Sequence, residues 1–142
     1  MEDAVRVLLA LHFLGLAMGF SAGFGSMVMA GLMAKCPDSD RRVLATFPPA
    51  IAKIGDLGLV LLWLSGLTLV FVKWQGFGNI PPLFHAKLTA VVVMTLVIGY
   101  GHSLRRKVAA GDPAATARMQ MLGKVIFSLA ILIVLLAVWT FN

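Results

Sequence analysis

LGKVIFSLAILIVLLAVWTF, residues 122–141, is a run of twenty positions with one charge, Lys124, near its start. Crossing the hydrocarbon core of a bilayer takes roughly 20 apolar residues in helical form, and this run meets that length with no charge after Lys124. Three more stretches meet the same test: Ala4 to Met33, Ile54 to Val72 and Leu83 to Leu104. The expectation is an all-α fold, an integral membrane four-helix bundle forming one domain over residues 1–142.

Composition supports lipid as the solvent. Of the 142 residues 60% are apolar and 13% charged, where soluble domains carry about 25% charged residues. A small soluble domain leaves much of its surface in water, so a chain this short has no interior large enough to hide its apolar side chains. The first span is expected to be a retained helix and not a signal peptide. Its apolar run is too long, Glu2 and Asp3 stand at its start, and no small-residue cleavage site ends it. With one cysteine, Cys36, no internal disulfide forms; in a polar connection it reads as an ordinary thiol.

The connections carry the charge. Ala34 to Lys53 holds Pro37, Asp38, Ser39 and Asp40 as turn formers, with Pro48 and Pro49 before the next span. Lys73 to Pro82 is short and contains Gly76, Gly78, Pro81 and Pro82. Arg105 to Met121 contains Gly111, Asp112 and Pro113, where Asp112 is expected to cap a short amphipathic helix lying at the interface. The net charge of +6 is therefore no nucleic-acid face. Lys35, Arg41, Arg42, Lys53, Arg105, Arg106, Lys107, Arg118 and Lys124 gather about the first and third connections, against Arg6 and Lys73 on the other side. Basic loops stay in the cytoplasm, which predicts both termini on the outer, periplasmic face of a bacterial inner membrane. Trp74, Trp139 and Phe141 then fall at the outer interface as aromatic anchors. Asp56, near the start of the second span, is expected to favour that helix's first turn or to pair with Lys53 or Lys124.

Helices in lipid associate through small residues that let backbones approach. Gly15, Gly19 and Gly23 repeat at every fourth position, with Ala22 and Ser26 beside them. This face is expected to pack against another helix of the chain, a second copy in a homo-oligomer or larger membrane complex, or a flat cofactor.

Ionisable groups at membrane depth are costly and mark function. The orientation puts His12, His85 and Lys87 in the same outer half of the bundle. His85 and Lys87 are two residues apart and cannot share a helical face. A histidine in a bundle core is a ready axial ligand for haem iron, and a lysine ligates, pairs with a propionate or holds a substrate carboxylate. The competing reading is that His12 hydrogen-bonds to a neighbouring helix while His85 and Lys87 reach for the surface. His102 reads as an interfacial residue beside Arg105 and Arg106. Met18, Met27, Met29 and Met33 bring copper transport to mind, thioether sulfur being suited to Cu(I), yet they form no repeated motif and read first as gap-filling packing. Nucleotide-binding glycine loops, paired cysteines and serine–histidine–acid arrangements are all absent from the sequence.

Val7-Leu8-Leu9-Ala10-Leu11-His12-Phe13-Leu14-Gly15 resembles the opening of the first helix in HemJ-type protoporphyrinogen oxidases and the related copper-resistance D membrane proteins. Leu83-Phe84-His85-Ala86-Lys87-Leu88-Thr89 resembles that family's Trp-Leu-His-x-Lys-Leu segment. Ser103 to Gly111 resembles the basic loop that follows it, and Leu135-Leu136-Ala137-Val138-Trp139 the end of its fourth helix. The resemblance implies b-type haem with His12 as axial ligand to the metal and Lys87 essential to the site as its catalytic group, His85 standing beside it. Where the family has an arginine late in its first helix this chain has Gly25-Ser26-Met27-Val28, and its second third-helix histidine falls on Ile98. The resemblance thus implies haem binding more directly than porphyrinogen oxidation. Two function classes follow: a haem-binding oxidoreductase of the membrane, and a non-catalytic accessory subunit or assembly factor of a respiratory or photosynthetic complex. Copper transport is a distant third.

Overall fold

The computed structural model describes residues 2–140, and among them every regular element is helical. The order is α1 (Glu2–Lys35), α2 (Asp38–Leu44), α3 (Phe47–Trp74), a 3₁₀ turn (Phe77–Asn79), α4 (Pro82–Ala109) and α5 (Pro113–Thr140). Four of these helices are long and apolar enough to cross a membrane, as the sequence predicts. In lipid no water satisfies an open backbone, so continuous helices are the natural outcome for such runs. Phe141, one of the three expected anchors and the end of the fourth predicted span, lies outside the described residues.

The chain packs as two compact units, one running to Ile80 and the other starting at Pro81. The first is an α1–α3 hairpin. Its two helices run antiparallel, with Gly15 against Gly58, Ala22 against Gly55 and Gly25 against Ile51. The second is an α4–α5 hairpin, with Gly101 close to Met119 and Leu122.

The polar stretch between the first two spans is mostly helical, which differs from the predicted loop. Asp38 and Asp40 open α2 and Arg41 and Arg42 close it, each charge facing the helix end it favours; Arg41 also reaches Asp38 at 3.1 Å. Pro48 and Pro49 do not precede the next helix but begin it, since proline's missing N–H costs nothing in a first turn. One consequence is that Asp56 sits well inside α3, whose first turn holds no acidic residue. The first-turn role expected of Asp56 therefore does not apply.

The turn between α4 and α5 is built from three residues with separate jobs. Gly111 takes the left-handed conformation (φ 82°). Its N–H donates to Val108 O at 3.0 Å, and that of Asp112 donates to Lys107 O at 3.1 Å, the paired bonds of a Schellman ending. Asp112 then turns to face the next helix, its carboxylate accepting from Ala114 N at 2.9 Å and Ala115 N at 3.3 Å. Pro113 follows at the first helical position. Asp112 is a cap, as expected, but what it caps is α5 itself: no separate interfacial helix exists between residues 113 and 121. Gly111→Ala is expected to cost about 1–2 kcal/mol, the left-handed penalty for an L-residue, and Asp112→Ala about 1 kcal/mol. Both are measurable as earlier loss of helicity when detergent-solubilised protein is titrated with SDS.

Candidate functional site

The α1–α3 seam fixes the position of His12. A Cβ placed on Gly15 would meet Gly58 O at 2.8 Å, and one on Gly58 would meet Gly15 O at 2.8 Å and Met18 Cβ at 2.9 Å. The backbones therefore touch here, which only glycine allows. One turn nearer the chain's start, the same contact line carries His12 against Ser65 and Gly66. Ser65, 3% exposed, is a polar side chain in the buried core of the described residues. Its Oγ lies 3.0 Å from His12 Nδ1 and donates to Leu61 O, one turn back in α3. Gly66 faces the imidazole ring: a Cβ there would lie 3.4 Å from His12 Cε1 and 3.7 Å from Nδ1.

A hydroxyl has one hydrogen to give. With that hydrogen on Leu61 O, Ser65 Oγ accepts from a His12 protonated at Nδ1; in the other tautomer Nδ1 accepts from Ser65. A neutral imidazole protonated at Nδ1 carries its lone pair on Nε2. The hydrogen bond to a neighbouring helix foreseen for His12 is thus present.

His85 and Lys87 belong to the second unit. Both lie near the start of α4, about 200° apart around the helix. His85 is exposed and Lys87 half-buried. The Lys87 Nζ lies 5.7 Å from the centroid of the Phe84 ring, where the ring's negative face attracts a cation; Phe84 itself is buried. His102 is exposed at the basic end of α4, where the sequence puts it.

Gly15 and Ala22 are buried in the α1–α3 seam, so part of the small-residue face is used within the chain. Gly19 and Gly23 differ. A Cβ on either would meet nothing within 4 Å. Met18 packs at the seam beside Gly58, and among the described residues no three of His, Cys, Asp and Glu are grouped as a bare metal ion would require. Cys36 is half-buried at the end of α1, its thiol on Met33 O at 3.4 Å. Two shallow surface hollows occur, one lined by Glu2, Val5, Arg6 and Val72, the other by Lys124, Val125, Ser128, Leu129 and Leu132; neither is lined by His12, His85 or Lys87.

Ser65 and Gly66 escape a reading of charge and motif, because a serine and a glycine in an apolar run are ordinary. Register was the available signal: His12 lies ten residues from the start of α1 at Glu2, and Ser65 nine from the end of α3 at Trp74, so an antiparallel hairpin brings them level. No known family, curated protein or solved structure matches the chain.

Proposed function

We propose that this chain is a four-span membrane protein that binds b-type haem, with His12 as the axial ligand. The single observation behind this reading is the His12–Ser65 hydrogen bond, which joins α1 to α3 and fixes an imidazole inside an apolar span. Ligating histidines characteristically hydrogen-bond a protein group through their other ring nitrogen, and His12 has such a bond to Ser65 in an apolar setting. The donor chemistry therefore fits haem iron.

Haem, when bound, supplies one-electron redox chemistry. The chain's own part would be to hold the iron through His12, to exclude water with apolar side chains, and to offer a cationic amine for a substrate carboxylate. Lys87 is assigned that last role over His85, being half-buried where His85 is exposed. The outer-half placement of these groups, and the outer position of both termini, follow from the charge bias of the connections. A reporter fused to the C-terminus tests that directly. It is expected to read as periplasmic, and a cytoplasmic signal would reverse the topology.

The competing function is an accessory subunit or assembly factor that docks the Gly19/Gly23 strip on a larger membrane complex through close helix–helix packing at residues without side chains. An absorption spectrum of the full chain purified in mild detergent separates the two. A Soret band supports haem; a colourless, folded protein that co-purifies with partner subunits overturns it in favour of docking.

A further inference from the structure

The turn end of the α4–α5 hairpin carries positive charge that nothing in the hairpin offsets. Arg105, Arg106 and Lys107 stand in the last two turns of α4, Arg118 and Lys124 in the first four turns of α5. Asp112 is the one acidic side chain between residues 81 and 142, and its carboxylate already accepts from Ala114 N and Ala115 N. None of the five cations makes an ion pair among the described residues, whereas Arg6 lies 3.6 Å from Asp3 and Arg41 3.1 Å from Asp38. Like charges gathered in this way repel one another. An external anion relieves them.

One of the two surface hollows opens beside this cluster. Its lining, Lys124, Val125, Ser128, Leu129 and Leu132, lies wholly on α5, and its chemistry changes along the helix. A cation stands at one end, a hydroxyl one turn on, and aliphatic side chains continue to Leu132, about 12 Å from Lys124 along the axis. Val125 is 36% and Leu132 46% exposed, so the apolar floor is uncovered. Arg118 stands seven residues before Val125, two turns away on the same face, and extends the cationic end toward the turn. The matching molecule has an anionic head, oxygens that accept from a hydroxyl, and a hydrocarbon tail. Those are the parts of a phospholipid. A zwitterionic headgroup would bring its own ammonium to five unpaired cations, so a headgroup of net negative charge fits better.

We propose that this hollow holds one anionic phospholipid, its phosphate at Lys124 and Arg118 and an acyl chain along Val125, Leu129 and Leu132. The long cationic side chains reach the headgroup while their helix continues into hydrocarbon. The site stands in either leaflet and does not depend on haem.

To test it, the full chain is equilibrated in mild detergent with equal amounts of a phosphatidylglycerol and a phosphatidylcholine of the same acyl chains. Native mass spectrometry then counts the lipid each chain retains. One phosphatidylglycerol per chain is expected in preference to phosphatidylcholine. Lys124→Gln and Arg118→Gln, both at exposed positions, are each expected to lower that preference about fivefold, as for loss of one basic residue at an anionic lipid surface. Lys35→Gln removes an equal charge from the exposed end of α1 and is expected to leave it within about twofold, the difference expected of a charge remote from the site. Val125→Trp fills the hollow with every charge in place and is expected to lose the bound lipid. Equal retention of the two lipids by the unaltered chain overturns the proposal, and so does a dimer that retains neither. A fall with Lys35→Gln as large as with Lys124→Gln overturns it as well, since net charge would then explain the preference. Displacement by an equal concentration of glycerophosphoglycerol, the same headgroup without its chains, would mean an anion site that makes no use of the apolar floor, and overturns it too.

Discussion

Gly58→Leu is expected to cost the α1–α3 hairpin about 3 kcal/mol, the upper end of ordinary overpacking penalties. Between membrane helices there is little hydrophobic gain from burying apolar side chains, so association depends on backbone proximity and dispersion. At Gly58 that proximity is already at its limit. A Cβ would stand 2.8 Å from Gly15 O, 2.9 Å from Met18 Cβ and 3.0 Å from Gly19 N, and two of those three atoms are backbone, which cannot rotate away. The helices have to separate, and contacts at Ala22 and at Ser65 weaken with them. Gly19→Ala is the matched control on the facing helix: its Cβ meets nothing, so a change within about 0.5 kcal/mol is expected. An SDS titration followed by circular dichroism measures both. Equal losses in the two variants would mean that the seam does not hold the hairpin together.

That pair of glycines also marks where sequence reading reaches and where it stops. The spans are legible because length and apolarity act over twenty residues at once, and the structure has four helices of that character. Of the Gly15–Gly19–Gly23 spacing only Gly15 enters the seam, which follows a different line. Gly15, Met18 and Ala22 meet α3, while the Cβ directions of Gly19 and Gly23 are open. A strict four-residue spacing drifts around a helix of 3.6 residues per turn, so the contact line must alternate steps of three and four. Gly55 and Gly58, which form the other side of the seam, carry the same three-residue step and are visible only once the partner helix is known. The helical starts at Asp38 and Phe47 were hidden for another reason: Pro37, Pro48 and Pro49 interrupt a helix from within but begin one from its first turn, and a sequence does not say which side of the proline the helix lies on. For the site, His12 and Lys87 are conspicuous as ionisable groups in apolar runs. Ser65 is conspicuous only through its partner.

His12→Ala is expected to remove the Soret band while leaving the protein folded, and the two halves of that expectation have different magnitudes. The structural loss includes the hydrogen bond to Ser65. Ser65 keeps its own hydrogen on Leu61 O, so no buried donor is left without a partner, and the cost to the hairpin is about 1 kcal/mol. The ligand loss is of another order. Removing a residue that merely orients a metal ligand lowers affinity by about 10–100-fold, and removing the ligand itself exceeds that. Haem per chain should therefore fall to background in a protein whose SDS unfolding midpoint barely moves. Adding imidazole to His12→Gly should bring the band back, because the small ligand occupies the space the side chain vacated; a purely structural histidine would show no such rescue. Lys87→Gln is expected to keep the band and to weaken haem or substrate binding by about tenfold or more, a charged hydrogen bond being worth about 1.5–3 kcal/mol. His85→Ala, at an exposed position, is expected to do least. The expected ranking is His12, then Lys87, then His85, and a Soret band that survives His12→Ala at full intensity would place the iron on some other residue.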